Sequence, residues 1–460
     1  MPDTALTPAA AELLATAGVR QVECLFPDVT GYPRGKLMPA DAFLRGQELR
    51  IAQAIPMQAV TGEYSYDPIF PDDDPDVRLV PDPATLRLAP WAPADQPRAL
   101  AIHDCVELDG RPCAFAPRSL LKAVLARYAA RGLSPVVAPE IEFYLSAPCT
   151  DPNLPLRPPE GRLGRAEVGQ SAFSLNMLNE LAPFWGAFQR AIDTLGIRAD
   201  TWIHEVGCSQ YEINLWHSEA MDAADRTFLF KSAVKDVCAS RGILGTFLGK
   251  PWSDEGGSGF HLHFSLVDAD GVNQMHDGGD GLSDTAMAMI AGVIEHAPAI
   301  AAFTNPTVNA FKRLGPDTLA PYRSNWGFDN RSTMIRIPPE RGQGTRLELR
   351  IGDGTANPYI VIAVVLAAAL DGIRRGLTPP PVSEGWAYEE ESRPILPMSL
   401  TEALDALEAD EGLRSYLGST FIDIFTVMKR DEVARYEAEV PDPSTRDTTT
   451  WELEEYIEDF

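Results

Sequence analysis

The chain is poor in the residues and runs that mark several protein classes. It has six cysteines in 460 residues, at positions 24, 105, 113, 149, 208 and 238, with no Cys-x-x-Cys pair. That scatter excludes a disulfide scaffold and a zinc ribbon. Positive charge is scarce: 39 Lys and Arg stand against 66 Asp and Glu, for a formal net charge of −27. Nucleic acids and anionic membranes need clustered basic residues, so neither is expected as a partner. The acidity reads first as solubility, and it permits a cationic ligand. Long apolar runs are missing too. The longest, Ile360 to Leu370, stops at Asp371, is too short to cross a bilayer, and predicts a buried helix. Met1-Pro2-Asp3-Thr4 has neither a basic nor an apolar leader region, so no signal peptide is expected and the protein reads as cytoplasmic. Neither a GxxxxGK(S/T) loop nor a GxGxxG in strand-turn-helix context occurs, so phosphate binding must come from metals and arginines.

What is present is ordinary globular composition, 45% hydrophobic and 23% charged, enough for a real core. A helix is expected over Leu6 to Val19, a strand over Gln21 to Phe26, a turn at Asp28-Val29-Thr30-Gly31 and a second strand near Gly35 to Met38. From Tyr64 to Pro97 prolines and aspartates crowd together, which reads as loops between short strands at the end of a small β-rich domain. Pro117 to Gly132 has the proline-first, glycine-last pattern of a helix. A strand follows from Val136 to Leu145, and Asp151 to Gly169 reads as a loop. Helices at Leu181–Leu195, Ala220–Arg241 and Ala286–Phe303 then alternate with strands at Gln210–Leu215, Phe260–Val267, Met334–Ile337 and Arg346–Ile351. The last 60 residues look helical, from Ser399–Ala409 to Trp451–Glu458. The class is α+β.

Five segments carry chemistry. On a strand, residues i and i+2 share a face. Glu140 and Glu142 therefore point one way while Ile141 and Phe143 point into the core, and two neighbouring carboxylates repel unless a cation sits between them. His204 to Glu212 supplies Glu205 and Glu212 around a turn. Gly256 to Phe264 places His261 and His263 on one face after a glycine-rich loop that lets a ligand approach the backbone. Arg346 to Arg350 again alternates polar and apolar residues. Lys312-Arg313, Asn330-Arg331 and Arg336 supply cations. A solvated strand face or a surface ion-pair network accounts for any one of these segments. All five together suit carboxylate-bound Mg²⁺ or Mn²⁺ with converging arginines, the requirement of phosphoryl transfer.

Seven stretches resemble the glutamine synthetase family in order: Pro139-Glu140-Ile141-Glu142-Phe143, His204-Glu205 through Glu212, Gly257-Ser258-Gly259-Phe260-His261-Leu262-His263, Asn305-Pro306-Thr307-Val308-Asn309 with Lys312-Arg313-Leu314, Asn330-Arg331 through Pro338, Arg346 to Arg350, and Ala356-Asn357-Pro358-Tyr359. The resemblance implies an N-terminal β-grasp domain (residues 1–112) and a large catalytic domain (113–460) with an antiparallel sheet and flanking helices. It implies a ring-shaped oligomer, a dodecamer, with active sites between neighbouring subunits. It implies two or three Mg²⁺ or Mn²⁺ ions per site and ATP as co-substrate, with glutamate activated to a γ-glutamyl phosphate that a nitrogen nucleophile attacks. Residue by residue, Glu142, Glu205 and Glu212 match the ligands of one cation, and Glu140, His261 and Glu348 those of another. His263, Ser265, Arg331 and Arg336 match ATP contacts; Gly257, Arg313 and Arg350 match glutamate contacts. Arg313 and Arg331 are the matching catalytic arginines.

The sequence departs from ammonia-using members at the nucleophile. Where those carry a glutamate just before Ala-Pro, Leu319 precedes Ala320-Pro321. Where they carry an acid in the N-terminal loop, Ile55 to Gly62 has none, and the usual asparagine before Gly257 is Gly256. The tyrosine that some bacterial members adenylylate has no clear counterpart near Leu396-Pro397. A leucine can neither bind a proton nor balance an ammonium. The pattern resembles the branch that joins glutamate to an amine, a polyamine such as putrescine or a small monoamine such as ethanolamine. An ordinary glutamine synthetase using ammonium, and a non-catalytic regulatory relative, are the alternatives. Glu63, Asp67, Asp317 and Glu212 are the candidate acceptors of the amine proton.

Overall fold

The computed structural model describes residues 8–62, 74–149, 151–316 and 318–460. The strands among them are β1 (Gln21–Pro27), β2 (Pro33–Pro39), β3 (Leu49–Ala52), β4 (Asp76–Pro81), β5 (Arg87–Leu88), β6 (Arg98–Val106), β7 (Leu133–Ser146), β8 (Ala199–His204), β9 (Gln210–Leu215), β10 (Ser218–Glu219), β11 (Leu244–Thr246), β12 (Gly259–Asp268), β13 (Trp326–Phe328), β14 (Ile335–Ile337) and β15 (Leu347–Asp353). The helices are α1 (Pro8–Thr16), α2 (Ala40–Leu44), α3 (Pro117–Ala129), α4 (Leu175–Glu180), α5 (Ala182–Thr194), α6 (Ala220–Ala239), α7 (Asp284–Thr304), α8 (Pro358–Arg375), α9 (Leu400–Ala409), α10 (Glu411–Leu417), α11 (Ser419–Glu439) and α12 (Thr450–Tyr456).

The first six strands form one sheet in the order β2-β1-β6-β4-β3, with β5 on β6. The expected turn between β1 and β2 is built on Asp28. This fully buried carboxylate accepts from the Thr30 amide and hydroxyl, the Tyr32 amide and Arg34 Nε. The other nine strands form a second sheet, β13-β14-β15-β12-β7-β9-β8, with β10 and β11 also on β7. Its pairings are antiparallel except for the short β13–β14 pair. Strand β7 lies in the middle. Its burial alternates from Pro135 to Phe143, with the odd positions inside, as a strand with one wet face must.

The run that stops at Asp371 is the interior of α8. Asn357 caps its N-terminus, Pro358 opens it, and Gly376 ends it in the left-handed conformation (φ 61°). Its partner is α7. By length and composition α7 could cross a membrane, yet 78% of its apolar window is buried against the rest of the fold. The two helices touch through glycines: a Cβ on Gly372 would lie 2.0 Å from the Ala288 carbonyl oxygen. Close backbone approach of this kind fits only a hydrogen at that position.

Polar contacts tie the first sheet to the rest. Asn357 donates to the carbonyls of Asp28 and Val29. Arg118, 2% exposed, reaches Asp82, Asp104 and Asp225 at 2.7–2.8 Å. An arginine buried this deeply is tolerable because its fork is matched by carboxylates on several sides. The helix expected over Ala220–Arg241 ends at Ala239, the one expected over Leu6–Val19 is described from Pro8, and Asp151–Gly169 is largely loop as expected.

Candidate active site

Register between strands brings the acidic and imidazole pairs together. On one side of β7, Glu140 faces Asn214 and Glu142 faces Glu212; on the other side Glu140 faces His261. Strand β12 then places His263 opposite Glu348, and β15 places Glu348 opposite Arg336. Directly opposed side chains in a sheet sit about 4.5–5.5 Å apart, so seven charged or titratable positions converge across five strands.

Two groups of donor atoms lie within 4.8 Å of one another: Glu140, Glu212 and His261, and Glu140, His263 and Glu348. Glu140 belongs to both. Asn214 Nδ2 donates to its Oε1 at 2.9 Å, and His263 Nε2 meets the same oxygen at 2.8 Å. Arg346 Nε donates to His263 Nδ1 at 3.2 Å. That bond makes Nδ1 the acceptor, so the His263 proton sits on Nε2 and is given to Glu140.

The two halves of the cluster differ electrostatically. Burial works against ionisation of Glu140 and Glu348. The histidines at 261 and 263 nevertheless hold Glu140 far below the usual carboxylate range, and Arg350 with His263 brings Glu348 to about 2. Arg336 also donates to Glu348 at 2.7 Å, and Arg350 pairs with its other oxygen. In the opposite half Arg350 acts on Glu212, and His204 and Arg331 on Glu205, less strongly than burial and the neighbouring carboxylates do. Burial pushes Glu205 up to about 7, with Glu142 adding to it, and burial together with Glu140, Glu142 and Glu205 raises Glu212. Buried carboxylates that repel one another are a donor set in want of a divalent cation. The residues therefore fit Mg²⁺ or Mn²⁺.

The arginines stand around this cluster. Arg313 is fully buried and donates to the carbonyls of Ile351 and Arg350. Arg350 Nε holds the Arg331 carbonyl at 3.2 Å, while the Arg331 side chain is exposed at the mouth. Arg336 is engaged by Glu348 and by Asp329 at 2.6 Å. Gly257 lies against the Arg313 stem: a Cβ there would be 2.5 Å from Arg313 Cγ. Ser265 and His263 instead line a separate cavity of about 580 Å³ with Trp216, His217, Asn273 and Arg346. Trp216 stacks on His217 and lies under the Arg198 guanidinium, 3.7 Å from Cζ to the ring centroid. This cavity is large enough for a nucleotide, has flat aromatic surface, and opens onto Glu140.

Leu319 is exposed and left-handed, with φ 62°. Among the four candidate proton acceptors, Glu212 lies in the described structure; Glu63, Asp67 and Asp317 lie outside the described residues.

Several residues that shape the site were not singled out by sequence. Gln210 Nε2 donates to Glu142 Oε2 and to the Gly257 carbonyl, while its Oε1 accepts from the Gly207 amide. Tyr144 donates to the Gly256 carbonyl at 2.7 Å. Asp353 is fully buried beside Arg313. Gln210 sits inside a stretch already read as functional, so a buried amide two residues before Glu212 was the available signal.

The glutamine synthetase catalytic-domain family model matches residues 114–456. The glutamine synthetase of Pyrococcus abyssi is 35% identical over 455 residues, covering 96% of this chain and 98% of that protein. The glutamine synthetase of Halobacterium salinarum is 35% identical over 84% of each chain. Among solved structures, GmaS in complex with ADP superposes with a TM-score of 0.82 at 32% identity, covering 97% of this chain and 98% of that one. Family model, full-length relatives and superposed fold agree with the carboxylate–histidine cluster in one respect: this chain belongs to the glutamine synthetase family of ATP-dependent carbon–nitrogen ligases.

Proposed function

We propose that the chain joins the γ-carboxylate of glutamate to a primary amine at the expense of ATP. The observation that carries this reading is Leu319, an exposed apolar side chain where ammonia-using members place a glutamate, with no acid in Ile55–Gly62. In this reading ATP lies in the cavity lined by His263 and Ser265, with Arg331 and Arg336 near its phosphates. Glu140, Glu142, Glu205, Glu212, His261 and Glu348 hold two or three Mg²⁺ or Mn²⁺ ions. A bound divalent cation supplies charge neutralisation to the phosphoryl oxygens.

The protein's own groups orient the reactants. Arg350 and Arg313, beside Gly257, hold glutamate with its γ-carboxylate toward the nucleotide. A γ-carboxylate oxygen attacks the terminal phosphorus and ADP leaves; Arg331 at the mouth takes up developing charge. The amine nitrogen then attacks the acyl carbon and phosphate departs. An alkylammonium with a pKa near 10.4 must first lose a proton. Of the candidate acceptors, Glu63, Asp67 and Asp317 are the ones that this reading does not also place on metal. Leu319 gives the alkyl carbon an apolar contact. Residues 1–112 act as a β-grasp domain, and a dodecameric ring sets each site between neighbouring subunits.

Phosphate release measured with glutamate, ATP and a panel of putrescine, ethanolamine, small monoalkylamines and ammonium tests the proposal. Turnover with an amine at kcat/KM well above that with ammonium supports it. Robust activity with ammonium alone overturns it and returns the chain to ordinary glutamine synthesis, the name its curated relatives carry.

A further inference from the structure

The loop from Asp151 to Gly169 doubles back on itself. Glu160 pairs with Ala166 across a turn in which Gly164 takes the left-handed backbone, φ 71°. The two residues that follow go opposite ways: Val168 is 82% exposed, whereas the Glu167 side chain is 7% exposed. A carboxylate drawn inward needs donors to offset the water it loses. Glu167 finds them on the turn between β8 and β9. Its Oε2 accepts from the Ser209 amide at 2.9 Å and meets His204 Nε2 at 3.1 Å. His204 is fully buried, and its Nδ1 meets the Glu205 carbonyl at 2.8 Å. Both ring nitrogens face acceptors, so the ring donates from each.

The same turn is held from other directions. The Phe173 amide donates to the His204 carbonyl at 2.8 Å, and the Cys208 amide to Glu255 Oε2 at 3.2 Å. Ser209 stands in the left-handed region, φ 58°, which a residue with a Cβ seldom keeps unless its surroundings impose it. The bond from its amide to Glu167 is one such restraint. The Glu205 amide closes the turn on the Gln210 carbonyl at 2.8 Å. Among the described residues the Glu205 carboxylate accepts one hydrogen bond, from the neighbouring Val206 amide at 3.3 Å, so the backbone of the turn decides where it points.

We propose that Glu167 is a positioning residue for the metal site: by holding His204 and the Ser209 amide, it fixes the turn that aims Glu205 at the cation it shares with Glu142 and Glu212. The inference rests on the reading of Glu205 as a metal ligand. Glu167 itself meets neither reactant nor cation. Its effect is confined to one ion, because Glu140, His261 and Glu348 stand on β7, β12 and β15, outside the turn. Groups that hold a metal ligand in place through a hydrogen bond are worth about 10–100-fold in metal affinity.

Titration of the full chain with Mn²⁺, read by the electron paramagnetic resonance of the free ion, tests this without turnover. Glu205→Gln should weaken one Mn²⁺ by at least about tenfold, and Glu167→Ala should weaken one Mn²⁺ to a similar degree and leave the others within about twofold. Both changes together should cost little more than Glu205→Gln alone, since they act on one ligand. Glu167→Gln keeps an acceptor oxygen but loses the charge, so it should fall between Glu167→Ala and the wild type. Glu167→Ala that lowers Tm and leaves every Mn²⁺ affinity unchanged overturns the proposal, because the loop contact is then merely structural. Equal weakening of all the ions, or fully additive losses in the double variant, overturns it too. Should Glu167→Ala not fold, Glu167→Gln decides, and wild-type affinity for every ion overturns the proposal. Unchanged binding in Glu205→Gln is a separate failure: it removes Glu205 from the metal set, and the role of Glu167 with it.

Discussion

Replacing Leu319 separates an amine ligase from an ammonium ligase. The side chain is 62% exposed, so most of its surface is free to be covered by substrate. Full burial of a leucine is worth about 1.5–3 kcal/mol, so covering that exposed share is worth about 1–2 kcal/mol. This corresponds to about 5–30-fold in kcat/KM. Leu319→Ala should lower kcat/KM for an alkylamine by about tenfold, because it removes most of that contact, and leave ammonium within about twofold, because ammonium has no carbon to cover. Leu319→Glu adds a carboxylate. At 4 Å and an effective dielectric of 20, its attraction for an ammonium is about 4 kcal/mol, reduced at a solvated mouth to about 1 kcal/mol. An alkylammonium feels the same attraction, so the ratio of ammonium to alkylamine kcat/KM should rise by about the tenfold that the lost apolar contact is worth. Both replacements have a Cβ and keep the left-handed backbone cost that Leu319 already bears, so the comparison carries no separate backbone effect. Phosphate-release kinetics with putrescine, ethylamine and ammonium reads all of this. An equal loss for ammonium and alkylamine in Leu319→Ala, or an unchanged ratio in Leu319→Glu, refutes the contact.

Other outcomes follow from neighbouring geometry. Arg446 donates to the carbonyls of Phe311, Lys312 and Leu314, on both sides of Arg313. Arg446→Met should raise KM for glutamate several-fold more than it lowers kcat, with Arg446→Lys in between, since a charged hydrogen bond is worth about 1.5–3 kcal/mol. Gly257→Ala drives a Cβ into Arg313 and should cost at least about a hundredfold in kcat/KM, a loss of about 2.7 kcal/mol, while circular dichroism shows an intact fold. His296 is buried between Asp371 and Asp410, at 3.2 and 2.6 Å. Burial would lower its pKa, but the two aspartates raise it. A group whose folded pKa lies above its unfolded value stabilises fully below the unfolded value, about 6.5, and loses that contribution as pH rises through the folded one. The Tm should therefore fall between pH 6 and the alkaline range, and His296→Asn should flatten that dependence in a thermal-denaturation series.

The sequence was most legible where a single strand carries the information. Period two alone places Glu140 with Glu142, His261 with His263, and Glu348 with Arg350, and the structure has each pair on one face. What the period cannot contain is register between strands more than a hundred residues apart. Strand β12 shifts register between Phe260 and Leu262, and that shift helps to decide which histidine meets which acid. His261 stands with Glu140 and Glu212, and His263 with Glu140 and Glu348. The capped, uninterrupted α8 was readable from Asn357-Pro358 and the apolar run. The 21-residue α11 was seen only as part of a helical tail, because its buried face mixes Thr426, Lys429 and Glu432 with the apolar residues. Lys429 and Glu432 pair with each other inside, and such pairing hides an amphipathic stripe. Gln210, Tyr144, Asn214 and Arg446 act through contacts with distant backbone or side chains, which no local pattern displays.

The central claim is that the nucleophile is an amine rather than ammonium. It is tested most directly by kcat/KM for phosphate release with glutamate, Mg²⁺-ATP and each nucleophile in turn, with the γ-glutamyl product identified by mass. The account expects an alkylamine or diamine to exceed ammonium by at least about tenfold, the worth of the Leu319 contact, and the product to carry the amine. Ammonium turning over as well as any amine, with glutamine as the product, contradicts it.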